Sequence, residues 1–265
     1  MRALKRLGQN FLVNENIARD IVDGLEINDE DNIIEIGPGR GMLTRFLLKK
    51  IKNKNINVRF IEFDSKMCEI LSKNFHNIND KIINEDVLKL NFKDIFNDSK
   101  KIKIIGNFPY NISGKLINKI IDNRDIIEEV VGMFQKEVVD RLIAQPNNKE
   151  YGIPSIFTQC YYDVYKLFDV DPENFNPAPN VISSVCKFKR NDVINLNCDE
   201  NLFNDIVKRS FSCRRKMIKN NLKYNDYYKN IDQKYLILRA ENLSIEDFIN
   251  ITNSIKFYLE NIKKQ

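Results

Sequence analysis

Several features whose presence would mark a protein class are missing from these 265 residues. No segment reaches the ~18 consecutive apolar residues that a membrane-spanning helix needs, and the N-terminal stretch has no apolar signal core. A soluble, cytoplasmic protein without a membrane partner is expected. Cysteine is sparse and scattered at Cys68, Cys160, Cys186, Cys198 and Cys213, with no CxxC pair. That pattern suggests reduced thiols and no metal site. Histidine is limited to His76, in the polar stretch "KNFHNIND", which reads as a solvated loop after a helix. Hydrolytic chemistry that pairs Ser or Cys with a histidine base therefore has no base to use.

Charge is abundant but close to balanced: 42 Lys and Arg against 37 Asp and Glu leave +5. In a chain so rich in Lys, Asn and Ile, only local clustering of charge is informative. Two clusters stand out. Arg2, Lys5 and Arg6 lie among fourteen N-terminal residues that carry no acid before Glu15, and Lys208, Arg209, Arg214, Arg215, Lys216, Lys219 and Lys223 fill 208–225, again without an acid. Such densities suit a phosphate backbone.

From residue 32 short apolar runs alternate with amphipathic stretches, which predicts a parallel sheet covered by helices. Strands are expected at 32–37, 56–64, 81–87, 101–108 and 126–135, with helices over 42–51, 65–75 and 112–122. Two further strands, 161–170 and 181–190, bracket the proline loop "NFNPAPN" and are expected to pair antiparallel. The fold class is α/β: about seven strands in a mixed, Rossmann-like sheet. Strand signals stop after Arg190, so a first domain over 1–190 and a small all-helical domain over 191–265 are expected.

The chemistry gathers where the strands end. "EIGPGRG" sets Gly37, Gly39 and Gly41 directly after the first of these strands, where the chain turns tightly and approaches a ligand closely. Glu62 closes the second strand 23 residues beyond Gly39, where a carboxylate can accept both hydroxyls of a ribose, and Asp86 closes the third, where it can read an adenine amino group. Glu35, inside the turn, disfavours a pyrophosphate and hence NAD, the competing cofactor. A cationic adenosine ligand fits, and S-adenosylmethionine is one. "NFPY" ends the fourth strand beside this site. The side-chain oxygen of Asn107 and a backbone carbonyl at Phe108 or Pro109 can accept the two N–H bonds of an adenine amine, while Tyr110 stacks on the extruded base.

At these residues the sequence resembles the small-subunit ribosomal RNA adenine dimethyltransferases, with the erythromycin-resistance rRNA methyltransferases as cousins. "RLGQNFL" (6–12), "EIGPGRGMLT" (35–44), "NFPYNIS" (107–113), "FNPAPNVISS" (175–184) and "CRRKMIKNNL" (213–222) carry the likeness across essentially the whole chain. The resemblance implies that Asn10, Leu12, Gly37, Gly39, Glu62, Asp86 and Asn107 bind S-adenosylmethionine. It implies a reactive loop of Asn107, Pro109 and Tyr110, with Phe175 as a second ring on the target base, and RNA contacts from Arg214, Arg215, Lys216 and Lys219. The implied activity is N6-dimethylation of two adjacent adenosines near the 3′ end of small-subunit rRNA, by a monomer acting on an immature 30S-type particle. A large-subunit target and a role as a ribosome-assembly factor acting mainly by binding are the alternatives. The chain departs from the family in two places: Ile182 stands where the motif usually has Asp, and Phe108 where Leu or Ile is commoner.

Overall fold

The computed structural model describes residues 10–96, 98, 100–223 and 227–262. Two compact units emerge, one from residues up to Val139 together with Tyr162–Asn191, the other from Asp140–Tyr161 together with residues from Asp192 onward. The insertion of 140–161 into the second unit was not foreseen from the sequence. Among the described residues no helix is long and apolar enough to cross a membrane.

In the first unit the chain runs through β1 (Phe11–Leu12), α1 (Glu15–Gly24), β2 (Asn32–Ile36), α2 (Met42–Ile51), β3 (Asn57–Glu62), α3 (Ser65–Asn74), β4 (Ile82–Asn84), β5 (Ile102–Asn107), α4 (Ser113–Asp122) and β6 (Ile127–Gln135). Helices α5 (Lys136–Ile143) and α6 (Ile153–Gln159) follow, then β7 (Tyr162–Val170), β8 (Phe175–Asn176) and β9 (Ser183–Arg190). Seven strands form one sheet in the order β4-β3-β2-β5-β6-β9-β7. Pairing is parallel from β4 through β6, and β9 runs antiparallel to both β6 and β7. All seven match strands expected from the sequence. Every residue of β2 is buried, as befits a strand covered on both faces, whereas the edge strand β7 alternates between covered and exposed positions.

Beyond that sheet lies a ribbon too short to leave a periodic signal. β1 pairs antiparallel with β8, Leu12 opposite Phe175, and the Val13 N–H donates to the Asn174 carbonyl at 2.8 Å. Asn14 extends the tie. Its side-chain oxygen caps α1 by accepting from the Asn16 and Ile17 amides, while its Nδ2 donates to Asn174 Oδ1 at 2.9 Å. The residues before Asn10, including Arg2, Lys5 and Arg6, lie outside the described residues.

The larger Phe108 is accommodated by its neighbours. Gly106 on β5 sits opposite Gly132 on β6, and a Cβ at Gly132 would lie 1.9 Å from the Phe108 ring. The missing side chain is the space the ring occupies, and Phe108 is 1% exposed against Phe134.

The linker from α1 to β2 is held by lysines in addition to the Leu25 N–H, which donates to the Val22 carbonyl at the end of α1. Lys50 donates to the Val22 and Leu25 carbonyls, Lys54 to Ile27, Lys103 to Glu26 and Lys187 to Gly24. Lys187 also pairs at 2.9 Å with Glu129, whose side chain is 3% exposed and accepts the Glu26 N–H.

The second unit is helical, as expected, with α7 (Glu200–Ser210), α8 (Ile218–Asn221), α9 (Gln233–Leu236) and α10 (Ile245–Ile262) after the inserted segment. Asp199 caps α7 through the Leu202 amide, and Phe203, Ile206 and Val207 on α7 and Phe248, Ile251 and Ile255 on α10 are buried at helical spacing.

Removing the cation at Lys187 strands a buried carboxylate. Lys187→Met is expected to cost about 3–5 kcal/mol in urea unfolding, and adding Glu129→Gln, which keeps an acceptor for the Glu26 amide, should recover most of that loss.

Candidate functional site

The first parallel strands leave their carboxyl ends at one edge of the sheet, and the order reverses between β2 and β5, the place where open α/β sheets form a ligand crevice. A cavity of about 280 Å³ opens there. Its wall includes Asn10, Leu12, Gly37, Gly39, Glu62, Asp86, Asn107, Pro109 and Tyr110, all singled out in the sequence.

The turn after β2 holds Gly37, Gly39 and Gly41 at φ of 68°, 56° and 85°, in the left-handed region that side chains disfavour. Glu62 locks it. One carboxylate oxygen accepts the Gly39 N–H at 3.0 Å and the other the Asp64 N–H at 2.9 Å, while the Gly37 N–H reaches the Ile61 carbonyl. Each carboxylate oxygen can accept a further bond, so the same group can take two ribose hydroxyls. Burial raises the Glu62 pKa despite these amide donors.

Glu35 forms part of the cavity wall and is 1% exposed. Its Oε2 accepts the Thr44 hydroxyl at 2.8 Å, and burial, with a smaller contribution from the Glu62 charge, pushes its pKa up to about 8. Without a ligand the carboxyl is largely neutral at pH 7. A cation in the cavity favours its ionised form.

Asp86 lies two residues past the end of β4, rather than closing it. Its Oδ1 accepts the Leu88 N–H at 2.9 Å, which leaves Oδ2 for a ligand. Lys119 on α4 donates to the Leu88 and Leu90 carbonyls at 3.1 and 2.5 Å and so ties this loop to the helix that follows "NFPY".

In the "NFPY" loop the Asn107 amide has a defined orientation. Asn107 Nδ2 donates to the Asn10 carbonyl at 3.0 Å, so Oδ1 is the atom left to accept. The Pro109 carbonyl already accepts the Ile112 N–H at 3.2 Å and the Ser113 hydroxyl at 3.4 Å. Of the two carbonyls considered from the sequence, Phe108 is the less encumbered. Tyr110 is half-buried at the wall, and its hydroxyl shares a 2.5 Å hydrogen bond with Ser183 Oγ.

Phe175 is absent from the cavity wall. Its ring is 4% exposed and belongs to the core with Leu12, Val170 and Val185, because the β1–β8 pairing turns it inward. Tyr110 is thus the sequence-predicted ring that lines the cavity. The wall also holds residues that sequence reasoning missed. Phe63, directly after Glu62, is 60% exposed and with Val87 offers apolar surface to a flat base; Arg40 lies 4.6 Å over the Phe11 ring. A phenylalanine one position past a strand-end acid was the available signal for the first. Ile182 contributes its carbonyl, which accepts the Lys136 N–H at 2.9 Å. His76 is exposed in a short 3-10 turn and takes no part in the site.

The basic cluster separates into engaged and open members. Arg214 donates to Glu241 at 2.8 Å and to the Tyr151 carbonyl at 2.9 Å, Arg209 pairs with Asp205, and Arg215, Lys216 and Lys219 are exposed.

A sheet wound in this order, with one reversed strand and carboxylates lining its switch point, defines a Rossmann-like methyltransferase. The chain belongs to the family described as ribosomal RNA adenine dimethylase, whose model matches residues 1–256. A ribosomal RNA small subunit methyltransferase A from Cytophaga hutchinsonii is 43% identical over 257 residues, covering 96% of this chain and 98% of that protein. Among solved structures, a dimethyladenosine transferase from Plasmodium falciparum aligns with a TM-score of 0.79 at 24% identity, covering 93% of this chain and 98% of the other. The 23S rRNA methyltransferase ErmE aligns with a TM-score of 0.70 at 18% identity, covering 93% and 100%. Both structural likenesses concern the fold. The cavity fits S-adenosylmethionine, the cofactor of this class: strand-end carboxylates suit its ribose and adenine, and buried Glu35 suits its positive charge.

The raised Glu35 pKa makes a prediction for the ligand-free protein. A carboxyl whose folded pKa exceeds its unfolded value stabilises the fold below about 4.5, and that contribution is lost as pH rises through about 8. Melting temperature should therefore fall across this window, with Glu62 adding a slope of the same sign. Glu35→Gln should flatten the fall; an unchanged slope would remove Glu35 as its source.

Proposed function

We propose that this chain transfers methyl groups from S-adenosylmethionine to N6 of two adjacent adenosines near the 3′ end of small-subunit rRNA, acting as a monomer on an immature 30S-type particle in the cytoplasm. Membership of the adenine dimethylase family and the relatives named as small-subunit methyltransferases support the substrate. The observation that carries the chemistry is the committed amide of Asn107. With Nδ2 donating to the Asn10 carbonyl, Oδ1 is presented as a hydrogen-bond acceptor, the role that an N–H of the target amine needs.

When bound, the cofactor supplies a methyl group on a sulfonium. The chain's task is to aim a weak nucleophile at it. An adenine amine has its lone pair drawn into the ring, and acceptance of its two N–H bonds by Asn107 Oδ1 and the Phe108 carbonyl turns that lone pair toward the methyl carbon. Pro109 shapes the loop and Tyr110 stacks on the extruded base, offsetting part of the unstacking cost. No histidine base is needed, because the nitrogen becomes acidic once methylated and its proton leaves to water. Glu62 and Asp86 hold the ribose and adenine of the cofactor.

RNA is gripped through its backbone by exposed cations, of which Arg215, Lys216 and Lys219 are the candidates. Arg214 acts instead as an internal staple between the 148–151 segment and Glu241.

Incubation with S-adenosylmethionine and either small or large ribosomal subunits, followed by mapping of dimethyladenosine, tests the assignment; product in large-subunit rRNA alone would overturn it. Asn107→Ala should lower turnover about 10²–10³-fold, the scale for removing one preorganised hydrogen-bonding group from a reacting centre, with RNA affinity nearly unchanged.

Replacing Arg215, Lys216 and Lys219 together with Ala should weaken subunit binding and flatten its salt dependence by about 0.9 per lost phosphate contact, or nearer 0.7 on single strands. Cofactor affinity, read by calorimetry, should stay the same.

A further inference from the structure

A stacking surface needs a ring, and a phenylalanine would supply it as well as a tyrosine. The hydroxyl of Tyr110 is therefore a separate fact. It meets Ser183 Oγ at 2.5 Å, across a sequence separation of 73 residues.

Ser183 is a well-braced partner. It is fully buried and begins β9, with Gln135 of β6 opposite it on one side and Val170 of β7 on the other. The preceding carbonyl, Ile182, accepts the Lys136 N–H, and the following hydroxyl, Ser184, is bonded to Asp169 on β7, which also pairs with Lys166. Tyr110 by contrast stands on a single 3-10 turn, Tyr110–Ile112, at the cavity wall. Its ring is held at its root by that turn and at its tip by the sheet. The hydroxyl oxygen lies on the ring's long axis, so a bond to it permits rotation about that axis but holds the ring against swinging away on χ1.

We propose that Ser183 is a positioning residue which, by tethering the Tyr110 hydroxyl, governs how far the reaction proceeds from monomethyl- to dimethyladenosine. The inference rests on the reading above that Tyr110 stacks on the target adenine. The first transfer replaces one of the amine's two N–H donors with a methyl group. The second transfer then has one orienting hydrogen bond in place of two, and the position of the nitrogen depends more heavily on the stacked ring. A ring free to swing lets the monomethylated base leave before it is methylated again.

Ser183→Ala and Tyr110→Phe each delete the tether and keep the ring. With immature small subunits and S-adenosylmethionine, mass spectrometry of the product nucleosides should give a mono- to dimethyladenosine ratio raised roughly fivefold in each, the factor that one net hydrogen bond is worth. The double variant should match either single, because both remove one interaction. Ser183→Thr, which retains a hydroxyl, should restore the wild-type ratio, and cofactor affinity by calorimetry should be unchanged throughout. Wild-type ratios in Tyr110→Phe and in folded Ser183→Ala, alongside a raised ratio in Tyr110→Ala, would overturn the tether and leave the stacking role standing. Effects that multiply in the double variant would also overturn it. Normal product from Tyr110→Ala would overturn the stacking reading itself, and the tether with it.

Discussion

The carboxylate of Glu62 is the constraint on which the cavity depends. Three left-handed glycines at alternate positions, Gly37, Gly39 and Gly41, cost backbone entropy, and a loop so permissive needs acceptors for its amides to hold one shape. Glu62 does so from the adjacent strand, binding Gly39 with one oxygen and Asp64 with the other. One side chain thus sets the turn, caps the approach to α3 and still offers acceptor capacity to a ligand.

A second constraint is the uneven treatment of charge around that turn. Glu35 is buried beside a hydroxyl donor, with Glu62 as a like-charged neighbour, so the empty cavity favours a neutral carboxyl and a filled one an anion. An anionic ligand at this position would meet two acids. The architecture of a nucleotide-binding sheet is thereby directed away from pyrophosphates and toward a cationic adenosine derivative.

The "NFPY" loop draws its order from three directions. Asn10 fixes the Asn107 amide from the N-terminal ribbon, Gly132 makes room for Phe108 from β6, and Ser183 holds the Tyr110 hydroxyl from β9. The β1–β8 pairing joins the first and last of these regions, since β8 lies in the loop that leads into β9. The two sides of the cavity wall are accordingly parts of one hydrogen-bonded assembly, as the proposed alignment of a target amine requires.

Much of this was legible in the sequence for a local reason. Apolar periodicity marks each strand of the seven-stranded sheet, the glycine spacing marks the turn, and polar side chains at or just past the ends of parallel strands face the crevice, so Glu62, Asp86 and Asn107 could be placed at the cavity wall from order alone. Tertiary structure decided what depends on residues far apart in the chain. Phe175 turned into the core because β8 found a partner 163 residues earlier, the Leu12–Phe175 pair; Arg214 has donors engaged by Glu241 and the 148–151 segment; and residues 140–161 joined the helical unit. A two-residue strand has no period to read, and a surface arginine looks the same in sequence whether or not an acid waits beside it. Patterns fix which face of an element is buried; only the packed chain determines which polar atoms on the other face are already occupied.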